Sequence, residues 1–251
     1  MKFARFRADG YVHSGCVEEK GLRANDGAFF PFAEVRWLPP VQPGKIIGLA
    51  LNYREHADEL GLQSGEQPII FLKPDNTLTG HMEPVFYPAG SRFVHYEGEL
   101  AVVIGKKARQ VNSSSAMQAV GGYTVANDLT VRDYITNTFR PPIRAKGFDT
   151  FCPLGPWLVT TDEIQDPGEL HLETRLNGRR VQEGDTSMFI HKIPEIIEFL
   201  SSFMTLYPGD VILTGTPRGI EAVRPGDVMD IEVEKVGLLS NTVAEERGPA
   251  V

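Results

Sequence analysis

Glu97 and Glu99 stand two residues apart in His95–Gly105, HYEGELAVVIG, a stretch that starts charged and ends in Leu, Ala, Val, Val and Ile. An apolar run bounded by glycine fits a strand buried on both faces. Side chains alternate along a strand, which sends Glu97 and Glu99 to one side and Gly98 to the other. Two carboxylates side by side at the mouth of a buried strand repel each other, and burial adds to the cost. A proton or a cation relieves both. Taken alone, the pair better suits a solvated strand end. Asp128 closes a second apolar run, Tyr123–Asn127, where it suits either a ligand or an Asx-turn. His56 and Glu59 are three residues apart in Asn52–Gly61, so one helical turn puts them on the same face. A carboxylate beside an imidazole orients it and raises its pKa, which suits a general base. The plain alternative is a surface ion pair.

Cations accompany these acids. Lys73 ends the apolar run Pro68–Pro74, where it can bind an anion or sit solvated at the strand end. Arg140, Arg144 and Lys146 lie in Thr138–Thr150, a stretch with neither helical nor strand period. Such a cluster can balance carboxylates elsewhere or hold an anionic substrate. Three carboxylates without cysteine or histidine in a ligand pattern select a hard divalent ion, Mg²⁺ first, with Mn²⁺ and Ca²⁺ as relatives. Three negative charges and one divalent cation leave a net charge of about −1, which Lys146 can offset. The remaining coordination positions suit a 2-oxo acid or its enol. Thr214–Gly219, TGTPRG, lacks the Gly-Lys-Ser/Thr ending of a phosphate loop, and no GxGxxG follows a strand.

The elements that must position these residues are mostly strands. In 251 residues, 25 glycines and 18 prolines point to many turns and a β-rich fold. Asp9-Gly10 and Asp26-Gly27 read as hairpin turns in a small β unit over residues 1–43. Pro39-Pro40 and Pro43-Gly44 mark a boundary, with the larger domain over 44–251. Asn52 is placed to cap a turn carrying His56, with Glu55 as a capping-box acid and Gly61 as its end. Ser113 is placed to cap a second short helix. Asn177-Gly178 is the strongest hairpin signal. Ile193, Ile196, Ile197, Leu200 and Phe203 recur at helical spacing and read as core. A net charge of −8 argues against a general nucleic-acid partner. Cys16 and Cys152 form no disulfide framework or zinc pattern. No stretch approaches a membrane span and the first residues lack a signal-peptide core, so a cytoplasmic protein is expected.

His95–Gly105, Gly121–Asp133, Arg140–Asp149 and Thr214–Gly219 together resemble the fumarylacetoacetate hydrolase superfamily, over roughly Lys45 to Val243. That resemblance implies a mixed β-sandwich roll with short helices, a small N-terminal β domain and a homodimer. It places Glu97, Glu99 and Asp128 on the metal carboxylates and Lys146 on the active-site lysine that supports an oxyanion. Arg132 falls on an arginine near the substrate, and Thr216 on a threonine that contacts the 2-oxo acid carboxylate. His56 and Glu59 match a dyad that several members carry on a mobile lid. The run Arg132-Asp133-Tyr134, Asn137, Arg140-Pro141, Arg144, Lys146 and Asp149 looks most like the isomerase/decarboxylases of homoprotocatechuate breakdown. The resemblance therefore implies isomerisation, with decarboxylation in some members, of 2-hydroxy-dienoate and 2-oxo-enoate dicarboxylates through a chelated dienolate. Arg132, with Arg140, Arg144 or Lys73, would then hold carboxylate. Hydrolytic members carry glutamine three residues after the arginine, where this chain has Ile135. C–C hydrolysis of an acylpyruvate or fumarylpyruvate, oxaloacetate tautomerisation or decarboxylation, and metal binding without catalysis remain the alternatives.

Overall fold

The computed structural model describes residues 1–62, 65–135 and 141–246. The chain is mainly β, as its turn-rich composition implies. Its centre is the strand Gly98–Ile104, every residue of which is buried. This strand pairs antiparallel with Val120–Asn127 on one side and with Val211–Leu213 on the other. Val211–Leu213 runs parallel to Ile46–Ala50, which pairs antiparallel with Ile69–Lys73. These belong to a 12-stranded sheet that ends at Ile69–Lys73 on one side and Phe29–Pro31 on the other. A 5-stranded sheet holds Arg179–Asp185, His171–Leu176, Val228–Val233, Gly237–Glu245 and Val85–Tyr87.

The alternation along the central strand decides the layering. Leu100, Val102 and Ile104 share a core with Leu172, Ile231 and Leu239 of the 5-stranded sheet and with Ile196, Ile197 and Leu200 of the helix Ile193–Phe203. Ala101 and Val103 face the other way, into a core with Ile46, Ala126, Leu154 and Leu213. Gly98 belongs to the first face. A Cβ there would collide with Thr174 Oγ1 and stand 3.0 Å from Ile231 Cγ2. Glycine at this position lets the second sheet close against the strand while its neighbours Glu97 and Glu99 turn away.

Residues near the N-terminus form their own core of Phe6, Leu22, Phe30 and Trp37, with Trp157 packed against it. They also extend the large sheet, because Lys2 and Phe3 pair with Val159 and Leu158. The Asn177-Gly178 turn forms as its sequence predicts, with φ of 53° and 79°. Two caps differ from expectation. Asn112, not Ser113, accepts the Ser115 N–H at the start of Ser113–Ala116. The helix Arg54–Glu59 begins at Tyr53 without a side-chain cap. Asn52 is buried and donates instead to Thr214 O at 2.8 Å and His191 O at 3.2 Å. It clamps the base of the helix onto the Thr214–Gly219 loop. Glu55 reaches outward to Arg218 at 3.9 Å. Among the described residues no helix is long and apolar enough to cross a membrane.

Candidate active site

Strand register gathers the acids. Gly98 pairs with Asn127, so the next residue of that strand, Asp128, comes level with Glu97. The Asp128 N–H donates to Glu97 O at 2.9 Å, and Asn127 Oδ1 accepts the Glu97 N–H at 3.0 Å. One carboxylate oxygen from each of Glu97, Glu99 and Asp128 lies within 4.8 Å of the others. All three side chains are buried.

Their partners are unequal. Lys146 Nζ donates to Glu97 Oε2 at 2.8 Å, Asp128 Oδ2 at 2.6 Å and Thr130 Oγ1 at 2.7 Å. Arg132 donates to Glu97 Oε1, and Lys73 donates to Asp128 Oδ1 at 2.6 Å. Glu99 receives only the Gly215 N–H, at 2.6 Å, among the described residues. Burial alone would raise the Glu97 carboxyl, but Lys146 and Arg132 overcome it and hold the group well below the usual range. Burial, reinforced by Asp128 and Glu97, pushes Glu99 well above the usual range. Burial works against the Lys146 ammonium, yet Asp128 and Glu97 outweigh it and raise its pKa.

This donor set fits a hard divalent cation. Three oxygen ligands converge, and the carboxylate without a cationic partner is the one whose charge the site disfavours. Each neighbouring element arrives for a structural reason. Lys146 projects inward from the single turn Ile143–Lys146, with its ammonium 4.8 Å from the Phe71 ring centroid. Arg132 sits on the turn Arg132–Tyr134, which Asp133 pins by accepting the Arg92 and Phe93 N–H groups. Arg132 Nε is buried and makes no hydrogen bond among the described residues. Thr216 Oγ1 donates to Gly98 O and accepts from Gln182 Nε2, both at 2.9 Å. His56 Nδ1 lies 3.1 Å from Glu59 Oε2, while Glu59 Oε1 accepts the Gly219 N–H at 3.0 Å. A cavity of about 210 Å³ is lined by Glu97, Glu99, Arg132, Lys146, Thr216 and His56, together with an apolar wall.

Two expected substrate contacts lie elsewhere. Lys73 is buried and bound to Asp128, so it serves the acid cluster and does not line the cavity. Arg144 is exposed, with its guanidinium 4.1 Å from the Tyr134 ring centroid. It sits two residues from Lys146 on one turn, and a helix points such residues in nearly opposite directions. Arg140 lies outside the described residues. Two contributors were not anticipated. Thr130, two residues past Asp128, supports the Lys146 ammonium. Gln182 accepts the Gly98 N–H at 3.1 Å and donates to Thr216 and Pro217, tying the acid strand to the Thr214–Gly219 loop. Its inward register after the Asn177-Gly178 hairpin was the available signal.

Comparison with known proteins places this geometry. Residues 45–244 match the model of the fumarylacetoacetate (FAA) hydrolase C-terminal domain. An isomerase/decarboxylase of 4-hydroxyphenylacetate degradation from Salmonella dublin is 46% identical over 203 residues, 81% of this chain and 47% of that protein. The chain thus spans about half the length of that bifunctional relative. The structure of 5-carboxymethyl-2-hydroxymuconate delta-isomerase from Mycobacterium smegmatis superposes with a TM-score of 0.89 at 40% identity, covering 98% of this chain and 100% of that one. A Sphingobium maleylpyruvate hydrolase in complex with manganese(II) ion and pyruvate gives a TM-score of 0.84 at 32% identity, with the same coverage of both chains. With the family match running through the acid strand, Lys146 and the Thr214–Gly219 loop alike, the chain belongs to the fumarylacetoacetate hydrolase family.

Proposed function

We propose that this chain is a divalent-metal-dependent isomerase that converts 2-hydroxy-2,4-dienoates to 2-oxo-3-enoates, with loss of CO₂ from a carboxylated 2-oxo-enoate as a second route into the same enolate. The observation that carries this reading is the balance of charge. Glu97, Glu99 and Asp128 are matched by three cations, Lys73, Lys146 and Arg132, each bonded to at least one of the acids. A divalent ion therefore leaves the centre with two positive charges. The enolate of a 2-oxo acid carries two negative charges, one on its carboxylate and one on its enolate oxygen. With Lys146 alone the acids and the divalent ion sum to neutrality; Lys73 and Arg132 add the two positive charges that match this ligand.

Glu97, Glu99 and Asp128 would hold the ion, Mg²⁺ first with Mn²⁺ or Ca²⁺ as alternatives, which supplies Lewis-acid stabilisation of negative charge on oxygen. Lys146 offers its ammonium to the developing oxyanion. Arg132, which lines the cavity beside Glu97, orients the C1 carboxylate. The C2 hydroxyl proton leaves, a proton is added at C5 and the two double bonds become one C=O and one C3=C4, with no atom gained or lost. His56, oriented by Glu59, is the proton carrier within reach of the cavity. Ile135 lines the cavity where an amide would assist hydrolysis, which favours isomerisation.

The anchored His56–Glu59 dyad supports one second reading, activation of water for C–C hydrolysis of an acylpyruvate. A substrate panel with Mg²⁺ or chelator separates the two. Isomerisation shifts the ultraviolet band without fragmentation, decarboxylation releases CO₂, and hydrolysis releases pyruvate. Absence of all metal-dependent turnover refutes the catalytic assignment.

A further inference from the structure

We infer that the protons of this reaction are exchanged with solvent through a second opening, a polar cleft beside the His56 helix, and that Glu59 is the positioning residue that hands them between cleft water and His56. This inference rests on the proposed enolate chemistry, with His56 as its proton carrier, and specifies where the proton comes from and goes.

The helix Arg54–Glu59 is a wall shared by two cavities. Glu55, Asp58 and Glu59 recur at the spacing of one helical face and line a cleft of about 840 Å³. His56 and Leu60, four residues apart, line the cavity that holds Glu97 and Glu99. Glu59 comes three residues after His56, at the seam between the two faces, and its Oε2 lies 3.1 Å from His56 Nδ1. The His56 side chain is 6% exposed and that of Glu59 31%. The pair therefore leads from a buried ring to water.

The carboxylate is fixed at this seam. Glu59 Oε1 accepts the Gly219 N–H at 3.0 Å, and Gly219 O accepts the Tyr96 hydroxyl at 2.8 Å. Gly219 has φ of 101°, and a Cβ there would collide with Val181 O, so this anchor depends on glycine. Arg180, Glu183 and Arg218 line the same cleft. Charged walls hold water, and at about 30 Å³ per molecule the cleft has room for a connected pool.

An ionised carboxylate only accepts, so Nδ1 carries the ring hydrogen towards Glu59 and Nε2 keeps a lone pair for the substrate. When a 2-oxo-3-enoate enolises, the C5–H bond breaks, its electron pair enters the dienolate and its proton goes to Nε2. The Nδ1 hydrogen passes to Glu59 as a proton, and Glu59 releases a proton to cleft water. Ketonisation runs the sequence backwards and brings a solvent proton to C5. A ring cut off from the cleft would return the proton to the carbon it left.

The test follows 2-oxohept-3-ene-1,7-dioate deuterated at C5, in ordinary water with saturating Mn²⁺. Label loss is read by mass spectrometry and enolisation by the ultraviolet band of the dienoate. The parent is expected to lose label in most enolisations. Glu59→Gln keeps the shape of the side chain and a carbonyl for the Gly219 N–H, but its amide carries no proton. Its label loss per enolisation is expected to fall by about tenfold as the deuteron returns to C5. Formate, small enough to enter the cleft, is expected to restore label loss in Glu59→Ala. A carboxylate that merely orients His56 would slow enolisation and label loss together. An unchanged ratio in Glu59→Gln therefore overturns the inference and leaves the reaction standing. If the parent interconverts no dienoate, the proposed reaction falls, and solvent exchange of the His56 ring hydrogen, read by NMR on ¹⁵N-histidine-labelled protein, decides the route. That exchange is expected to slow by about tenfold in Glu59→Gln, and an unchanged rate overturns the inference.

Discussion

Glu99→Gln is the substitution that separates a metal centre from a merely structural acid cluster. Glutamine has the same shape, and its carbonyl can still accept the Gly215 N–H that Glu99 Oε2 receives at 2.6 Å. It removes the one carboxylate of the three that no side-chain cation meets among the described residues. Glu99 is only 1% exposed, and its charge is opposed by burial, then by Asp128 and Glu97. The metal-free variant should therefore be as stable as the parent or more so, by about 0–2 kcal/mol. With divalent ion present the order should reverse. At a free Mn²⁺ concentration a hundred times the parent's Kd, linkage stabilises the parent by about 2.7 kcal/mol. A hundredfold loss of affinity on removing a charged ligand cuts this to about 0.4 kcal/mol. For a chain of this size the parent's gain corresponds to a Tm rise of about 5–10 °C. Urea denaturation of both proteins, with Mn²⁺ and with chelator, gives all four stabilities. The reasoning is refuted if the variant keeps the parent's metal-dependent gain, or if it loses several kcal/mol without metal.

Three further outcomes follow from particular contacts. Gly98→Ala should destabilise the protein by about 1–3 kcal/mol in urea and lower metal affinity, since the added Cβ strikes Thr174 and Ile231 directly behind the acids. His56→Asn should reduce isomerisation by about 10²-fold or more, read as loss of the ultraviolet band shift, and lower any hydrolytic turnover, read as pyruvate release, by a similar factor. Burial lowers His81 to about 4 from its ordinary 6.5, and its Nδ1 accepts the Ser240 N–H at 3.1 Å as a neutral ring. The unfolded chain thus binds the extra proton between these values. The contribution is complete above pH 6.5 and is lost as pH falls towards 4, by about 3 kcal/mol. His81→Gln should flatten stability across that window, as read by denaturation at pH 7, 5.5 and 4.

Local rules carried much of this protein. The two-residue period of Glu97 and Glu99 around Gly98 told which side chains share a face, because strand alternation is fixed by backbone geometry. The three-residue spacing of His56 and Glu59 and the Asn177-Gly178 turn were legible for the same reason: each depends on neighbours in the chain. Ordered motifs along the chain were enough to indicate the family.

What the sequence left open was partner choice across long separations. Lys73 and Asp128 are 55 residues apart, and only the curl of the sheet brings the end of one strand onto the end of another. Gln182 reaches Gly98 across 84 residues, through the packing of one sheet on the other. Asn52 had a local role available as a helix cap, and the tertiary structure gave it Thr214 and His191 instead. Arg144 and Lys146 looked equivalent in a basic segment until one helical turn pointed them apart. The sequence by itself determined which residues could carry the chemistry, since residue type and local period fix donor atoms and facing. Only the tertiary structure decided which cation meets which acid, and hence the charge left for a substrate, because those pairings depend on sheet packing between residues distant in the chain.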